Sequence, residues 1–137
     1  MHKLKNFIIC FYKAILIGIL IIILSIISAN TVNKINFIHI KNADKIVHFL
    51  MYFGFTLFLT GGFKKYYLIN NLSLFNRLII IISGILFGAC MEIIQLTFTK
   101  TRSAEFYDFF ANTLGSIMAI LFYSFLVKNK FIKKILE

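Results

Sequence analysis

Four long apolar segments dominate this chain, and each is long enough to cross a lipid bilayer as a helix. They cover about residues 7–29, 46–63, 78–98 and 106–127. About 20 apolar residues, at 1.5 Å of rise each, span the ~30 Å hydrocarbon core. Hydrophobic residues make up 60% of the chain, against roughly 45–50% in soluble domains. We therefore predict an all-α polytopic membrane protein, with four transmembrane helices in a compact bundle that forms a single domain over residues 1–137.

The first segment resembles a signal peptide in one respect, because Lys3 and Lys5 precede its apolar run. The run is too long for the hydrophobic region of a signal peptide, and no Ala-x-Ala-like cleavage site follows it. Ile26 and Ile27 stand where small residues would be needed. We therefore favour a membrane anchor.

The formal net charge of +10 would suggest nucleic acid in a soluble protein. In this chain the basic residues lie between and beyond the apolar segments, where cytoplasmic loops collect Lys and Arg. Of the 15 basic residues, those on the side of both termini are Lys3, Lys5, Lys13, Lys64, Lys65, Arg77, Lys128, Lys130, Lys133 and Lys134. We therefore expect no nucleic-acid partner, and a multi-pass protein of the cell membrane with both termini cytoplasmic.

The two cysteines, Cys10 and Cys90, lie in or beside apolar segments and are far apart in sequence. Their spacing does not match that of metal ligands. We expect two small buried side chains rather than a disulfide. We predict no metal site and no cofactor.

Polar side chains interrupt the last three apolar segments, although a charge at the bilayer centre costs from about 3 to more than 10 kcal/mol. In each segment these residues recur at steps of three or four, so they share one helix face with small residues. The faces consist of Asp44, His48 and Tyr52; Gly84, Gly88, Glu92 and Gln95; and Asp108, Asn112, Gly115 and Ala119. We expect the three faces to meet.

The estimated depths of the polar residues in the membrane support the expectation that the three faces meet. Counting from the outer end of each helix places Tyr52, Glu92 and Asn112 all roughly 9 Å deep. His48, Gln95 and Asp108 come out about 3–5 Å deep. Three independent helices thus place polar groups at the same levels, which predicts a polar pocket open to the extracytoplasmic face.

Each of these residues also has a purely structural interpretation. Tyr52 is equally typical of an interfacial aromatic, and Gln95 and Asn112 of interhelical hydrogen bonding. A histidine such as His48 is more often a satisfied core residue than a ligand. Glu92 favours a site most strongly, because intramembrane carboxyls are rare and usually functional.

The polar residues together form a recognisable series. It comprises the run Asp44-Lys45-Ile46-Val47-His48-Phe49 with Tyr52, then Glu92 and Gln95, then Arg102, Glu105, Asp108, Asn112 and Gly115. The series resembles the VanZ-like membrane protein family from the second to the fourth segment. The resemblance implies a multi-span membrane protein of the cell envelope. It also implies a link to antibiotic resistance, since the family's namesake is associated with resistance to the lipid-tailed glycopeptide teicoplanin.

Our first functional hypothesis is the binding or handling of an amphiphile at the outer leaflet. The partner would be a membrane lipid or a lipid-linked envelope molecule, and a homo-oligomer is left open. The polar head would meet Arg102, Lys45 and His48, with the tail between helices; Arg102 is alternatively a loop charge or a counter-ion for Glu92 or Asp108. The predicted ligand-binding residues are Lys45, Tyr52, Gln95, Arg102 and Asn112.

A second hypothesis is a cell-envelope hydrolase or transferase. The candidate catalytic residues are Asp44, His48, Glu92 and Asp108. Asp44, one helical turn from His48, would orient it as a base, and Glu92 would act as a general acid. The chain has no G-x-S-x-G or H-E-x-x-H motif to support this reaction class.

A third hypothesis is a structural role, in which the polar cluster holds the helices together. Glu92 would then pair with Lys45, His48 or Arg102. Removal of one partner would leave a buried charge and cost several kcal/mol.

Overall fold

The computed structural model describes residues 2–26, 43–98 and 106–137. Its helices are α1 (His2–Ile26), α2 (Ala43–Tyr67), α3 (Leu74–Phe98), α4 (Phe106–Leu126) and α5 (Lys130–Leu136). The first four are long and apolar enough to cross a membrane, and the described residues contain no strand. The prediction of an all-α bundle with four candidate spans is therefore confirmed.

Helix α2 is longer than the apolar segment from which it was predicted. Charged residues extend it at both ends, with Asp44 in its first turn and Lys64 and Lys65 in its last. This order suits the helix dipole, because carboxylates stabilise the amino-terminal end and ammonium groups the carboxy-terminal end. At the end of the predicted first span, residues 27–29 lie outside the described part of the chain.

Helix α2 is the centre of the bundle, packing most extensively against α4 and also against α1 and α3. Small residues make the close approach possible. A Cβ atom at Gly88 of α3 would lie 3.2 Å from the Cβ of Asn112, and one at Gly115 of α4 would overlap the carbonyl oxygen of Phe49. Ala119, one turn further along α4, is fully buried. The small faces predicted from the sequence therefore lie at helix contacts.

The outer surface of the bundle is apolar. Leu50, Leu86 and Leu121, from three different helices, are all more than half exposed, as expected for side chains that face lipid. Cys10 is half-buried and Cys90 is exposed, and both are free thiols. The expectation of two buried cysteines is therefore wrong for Cys90. At 100° per residue Cys90 lies on the opposite face of α3 from the buried Glu92.

The short helix α5 was not predicted from the sequence. The side chain of Asn129 caps it, accepting hydrogen bonds from the backbone N–H groups of Phe131 (2.9 Å) and Ile132 (3.3 Å). Leu136 is buried, and Ile132, four residues earlier, packs against the same cluster. An N-capping asparagine before apolar residues four apart is a local helix signal, but it does not show what stabilises so short a helix.

Two lysine side chains attach helix α5 to the bundle through its backbone. Lys13 of α1 donates a hydrogen bond to the carbonyl oxygen of Ile135 (2.6 Å), and Lys65 of α2 donates one to the carbonyl oxygen of Glu137 (3.0 Å). A Cβ atom at Gly61 would collide with the α5 backbone. The glycine thus leaves room for α5 against α2.

The side chain of Glu137 adds an ionic contact at this end of the bundle. It accepts hydrogen bonds from Lys64 (2.6 Å) and from the Tyr123 hydroxyl (3.0 Å), and Lys133 lies 3.8 Å away. Burial opposes ionisation of the carboxyl, but these hydrogen bonds and the two ammonium charges outweigh it and lower the pKa of Glu137. We refer to this end of the bundle as the Glu137 end.

Candidate functional site

Three buried side chains from three helices form a continuous chain of polar contacts. His48 of α2 places Nδ1 at 3.0 Å from Oδ1 of Asn112 on α4. The amide nitrogen of Asn112 donates a hydrogen bond of 3.1 Å to Oε1 of Glu92 on α3. Asn112 is fully buried, so its amide lies between the other two residues and connects all three helices.

Three charged residues continue the chain from the other ring nitrogen of His48. Nε2 lies 3.8 Å from Oδ2 of Asp108, whose Oδ1 lies 3.2 Å from the ammonium group of Lys45. Lys45 also contacts Asp44 at 2.6 Å. The carboxylate beside the His48 ring is therefore Asp108, whereas the more exposed Asp44 binds Lys45. We refer to this end of the bundle as the Asp108 end.

Tyr52 and Gln95 are both buried, at 1% and 2% exposure. Tyr52 packs with Met91 and Ile21 in an apolar cluster, which does not fit an interfacial aromatic. Among the described residues its hydroxyl has no hydrogen-bond partner. Tyr52 and Asn112 meet at the same helix contact, since both side chains flank Gly88.

A layer of small hydroxyl residues lies further into the bundle, and our sequence reasoning missed it. Thr56, Thr60 and Ser116 are fully buried. Thr60 donates a hydrogen bond to the carbonyl oxygen of Thr56 (2.6 Å), and Ser116 donates one to that of Asn112 (3.0 Å). Their spacing was a usable signal, because the two threonines continue the four-residue stripe of His48 and Tyr52 along α2.

Two sequence predictions fall outside the described residues. Arg102, which we expected to contact the head of a ligand, and Glu105, which belongs to the series that resembles the family, both lie in the segment 99–105. The prediction that Arg102 binds a ligand therefore stays a prediction.

An apolar groove of about 520 Å³ runs along the side of the α2–α4 contact at the Asp108 end. This volume lies within the usual range of about 300–1,000 Å³ for small-molecule sites. Its lining residues are Lys45, Ile46, Phe49, Tyr107, Phe110, Ala111 and Leu114. Lys45 belongs to both the groove and the ionic contacts with Asp108, so the groove and the polar chain adjoin.

Comparison with known proteins identifies the family. The sequence model of the VanZ/LLP1 family matches residues 10–128, which is most of the chain. This chain belongs to the VanZ/LLP1 family. The family resemblance inferred from the polar residues is therefore confirmed. Together with the four candidate spans, membership of the VanZ/LLP1 family indicates a multi-pass membrane protein. No curated protein and no solved structure matched the chain.

Proposed function

We propose that this VanZ/LLP1 protein binds an amphiphilic molecule of the cell envelope at the extracytoplasmic face of the membrane. The single observation that carries the proposal is the position of Lys45, which lines the apolar groove and contacts Asp108. An amphiphile needs a polar site and an apolar site within one molecule's reach. Both are present at the Asp108 end.

The head of the ligand binds at Lys45, His48 and Asp108, and its tail lies in the groove between α2 and α4. Phe49 and Phe110 supply large apolar surfaces there, and burial of a hydrocarbon tail contributes about 0.8 kcal/mol per CH₂ group. The groove opens toward the surrounding lipid, because Phe110 is more than half exposed. A ligand therefore enters sideways from the membrane. By its family namesake, this binding relates to resistance against lipoglycopeptides such as teicoplanin.

The orientation we propose places the Asp108 end outside the cell and the Glu137 end in the cytoplasm. Lys65, Lys128, Lys133 and Lys134 are all exposed at or near the Glu137 end. Cytoplasmic loops carry the excess of such residues. Both termini are then cytoplasmic in the cell membrane.

A second candidate function is a hydrolase or transferase of the envelope that uses His48 and Glu92. The observation that favours it is the contact of His48 with Asp108, together with its bond to Asn112. A histidine oriented by two polar partners is a common acid–base arrangement. In this reading Asp108 takes the orienting role that the sequence suggested for Asp44.

Native mass spectrometry of the purified protein tests the proposal. The wild-type protein should retain a copurifying lipid that Lys45→Ala and Ala111→Trp reduce, the first by removing the cation and the second by filling the groove. Leu121→Trp is the matched control, because Leu121 is exposed on α4, seven residues beyond Leu114. Equal lipid occupancy in all four proteins would refute the proposal.

Two further readouts separate the other hypotheses. An enzyme would convert the bound lipid to a species of different mass over time, and Glu92→Gln would stop the conversion without loss of binding. A purely structural cluster would instead show a fall in membrane abundance for Glu92→Gln. Normal abundance with loss of a lipoglycopeptide phenotype would support a functional site.

A further inference from the structure

Two large apolar side chains of helix α5 face away from the bundle. Residues four apart share one side of a helix, and the pair Ile132 and Leu136 packs into the core. The pair Phe131 and Ile135 is instead exposed, at 72% and 43%. Removal of apolar surface from water is favourable, so this pair favours a position in which an apolar medium covers it.

A basic pair adjoins the exposed apolar pair. Lys130 and Lys134 also stand four residues apart, and both are exposed. At about 100° per residue, Phe131 and Ile135 lie between this basic pair and the buried pair around the helix. Helices that lie in the interface of a bilayer have this order, because their apolar side chains enter the acyl region while their lysines reach the headgroups.

The charge at the Glu137 end is strongly positive. Of the described acidic residues only Glu137 lies there, and it is already bonded to Lys64 and lies 3.8 Å from Lys133. Lys65 and Lys128 are exposed at the same end. The basic pair of α5 therefore adds to an excess of positive charge that no described carboxylate offsets. Such an excess attracts anionic headgroups.

The position of α5 along the bundle matches the membrane interface. The helix follows α4 after a short turn, and its last turn lies against Gly61. Gly61 is about 9 Å along the axis of α2 from the end of that helix at Tyr67. Helix α5 therefore runs beside the ends of the spans and not beyond them. Interfacial helices bury their apolar face about 5–10 Å into the headgroup and acyl boundary, which is the same range.

We propose that α5 is an interfacial helix that binds anionic phospholipid in the leaflet at the Glu137 end. Phe131 and Ile135 contact the acyl chains, and Lys130 and Lys134 contact the phosphate groups. The excess of lysine selects anionic over zwitterionic headgroups. This site is separate from the groove at the Asp108 end, so it goes beyond the proposed function and does not depend on it.

Tryptophan fluorescence tests the proposal, because the chain has no tryptophan of its own. Phe131→Trp places a single probe in the apolar pair, and the full chain is reconstituted in phosphatidylcholine bilayers with increasing fractions of acyl-brominated lipid. Brominated phosphatidylglycerol should quench the probe at about a tenfold lower mole fraction than brominated phosphatidylcholine does. Leu86→Trp, 60% exposed in the middle of α3, is the matched control and should be quenched equally by both lipids.

Two further measurements show whether the lysines cause the preference. Lys130→Gln combined with Lys134→Gln, in the Phe131→Trp protein, should bring the two lipids to within about twofold of each other. A rise in salt from about 0.1 M to about 1 M shortens the Debye length from about 10 Å to about 3 Å. It should weaken the preference likewise, with no change to the lysines.

Three outcomes would overturn the proposal. The first is equal quenching of the Phe131→Trp probe by both lipids. The second is a preference that neither the lysine substitutions nor salt reduces, because it does not arise from charge. The third is a probe that no lipid quenches, because α5 is then covered by water or by protein instead of lipid.

Discussion

The Asn112 amide donates a hydrogen bond to the Glu92 carboxyl across the contact of α3 and α4, inside two helices that are long and apolar enough to span a membrane. Lipid offers no hydrogen-bond partner at that level, so polar groups must be satisfied within the bundle. The same amide contacts His48 of α2. One short side chain therefore connects three helices, and its removal affects all of them.

Replacement of Asn112 by leucine should destabilise the bundle. Both His48 and Glu92 lose a buried hydrogen-bond partner, at about 1–3 kcal/mol for each unsatisfied group. We expect a clearly lower Tm in detergent micelles. Ser124→Ala, at an exposed position of the same helix, should change the Tm little. An unaltered Tm for the leucine variant would show that the three contacts do not stabilise the fold.

A pair of glycine substitutions tests the close helix contacts. Gly115→Ala should destabilise the protein by about 1–3 kcal/mol, because the added Cβ atom would overlap the Phe49 carbonyl oxygen in the α2–α4 contact. Gly54→Ala should be neutral or stabilising by up to about 1 kcal/mol, since nothing lies within 4 Å of its Cβ position. Thermal unfolding in the same detergent compares the two. Equal effects would argue against close packing at Gly115.

Substitution of Gly61 should loosen α5 without disrupting the rest of the bundle. A Cβ atom at this position would collide with the α5 backbone, so Gly61→Ala should displace the helix. Trypsin should then cut faster after Lys133 and Lys134, both of which are exposed on α5. Gly54→Ala, on the same helix as Gly61, is the control, and equal cleavage rates would contradict the expected displacement.

The Glu137 ion pair should make stability depend on acidic pH. The pKa of Glu137 is lowered in the folded protein from an ordinary value of 4.5. Its contribution is therefore present above that value and is lost as the pH falls through the lower folded-state value. At pH 7, Glu137→Gln should lower the Tm by a few degrees.

Measuring the Tm at a series of pH values checks whether the charge of Glu137 is responsible. The Tm difference between Glu137→Gln and the wild-type protein should shrink steadily below pH 4.5. Lys134→Gln, at an exposed position of the same helix, should show no such trend. A constant difference across the series would mean that the charge of Glu137 is not what stabilises α5.

The sequence was most informative where periodicity and burial agree. The four-residue spacing of His48 with Tyr52, and of Asp108 with Asn112, identified the buried faces correctly, because the helix fixes which residues share a side. The spacing alone does not say which carboxylate meets the His48 ring. Both Asp44 and Asp108 lie at the same end of the bundle. The packing of α2 against α4 places Asp108, and not Asp44, beside the His48 ring.

The apolar groove and helix α5 could not be predicted from the sequence, because both depend on how the helices pack. The groove beside Phe110 depends on how two helices pack, which hydropathy does not encode. Helix α5 has only seven residues, and in water so short a helix is unstable by itself. It exists because α1 and α2 supply partners from distant parts of the chain.

The lysines at positions 13 and 65 recognise α5 by its main-chain oxygens, at Ile135 and Glu137. Every residue type offers such an oxygen, so these two attachments place no demand on the side chain at position 135. The two sides of this contact should therefore differ in how well they tolerate substitution. Exchanges at position 135 should leave its bond to Lys13 intact, whereas either lysine should prove hard to replace.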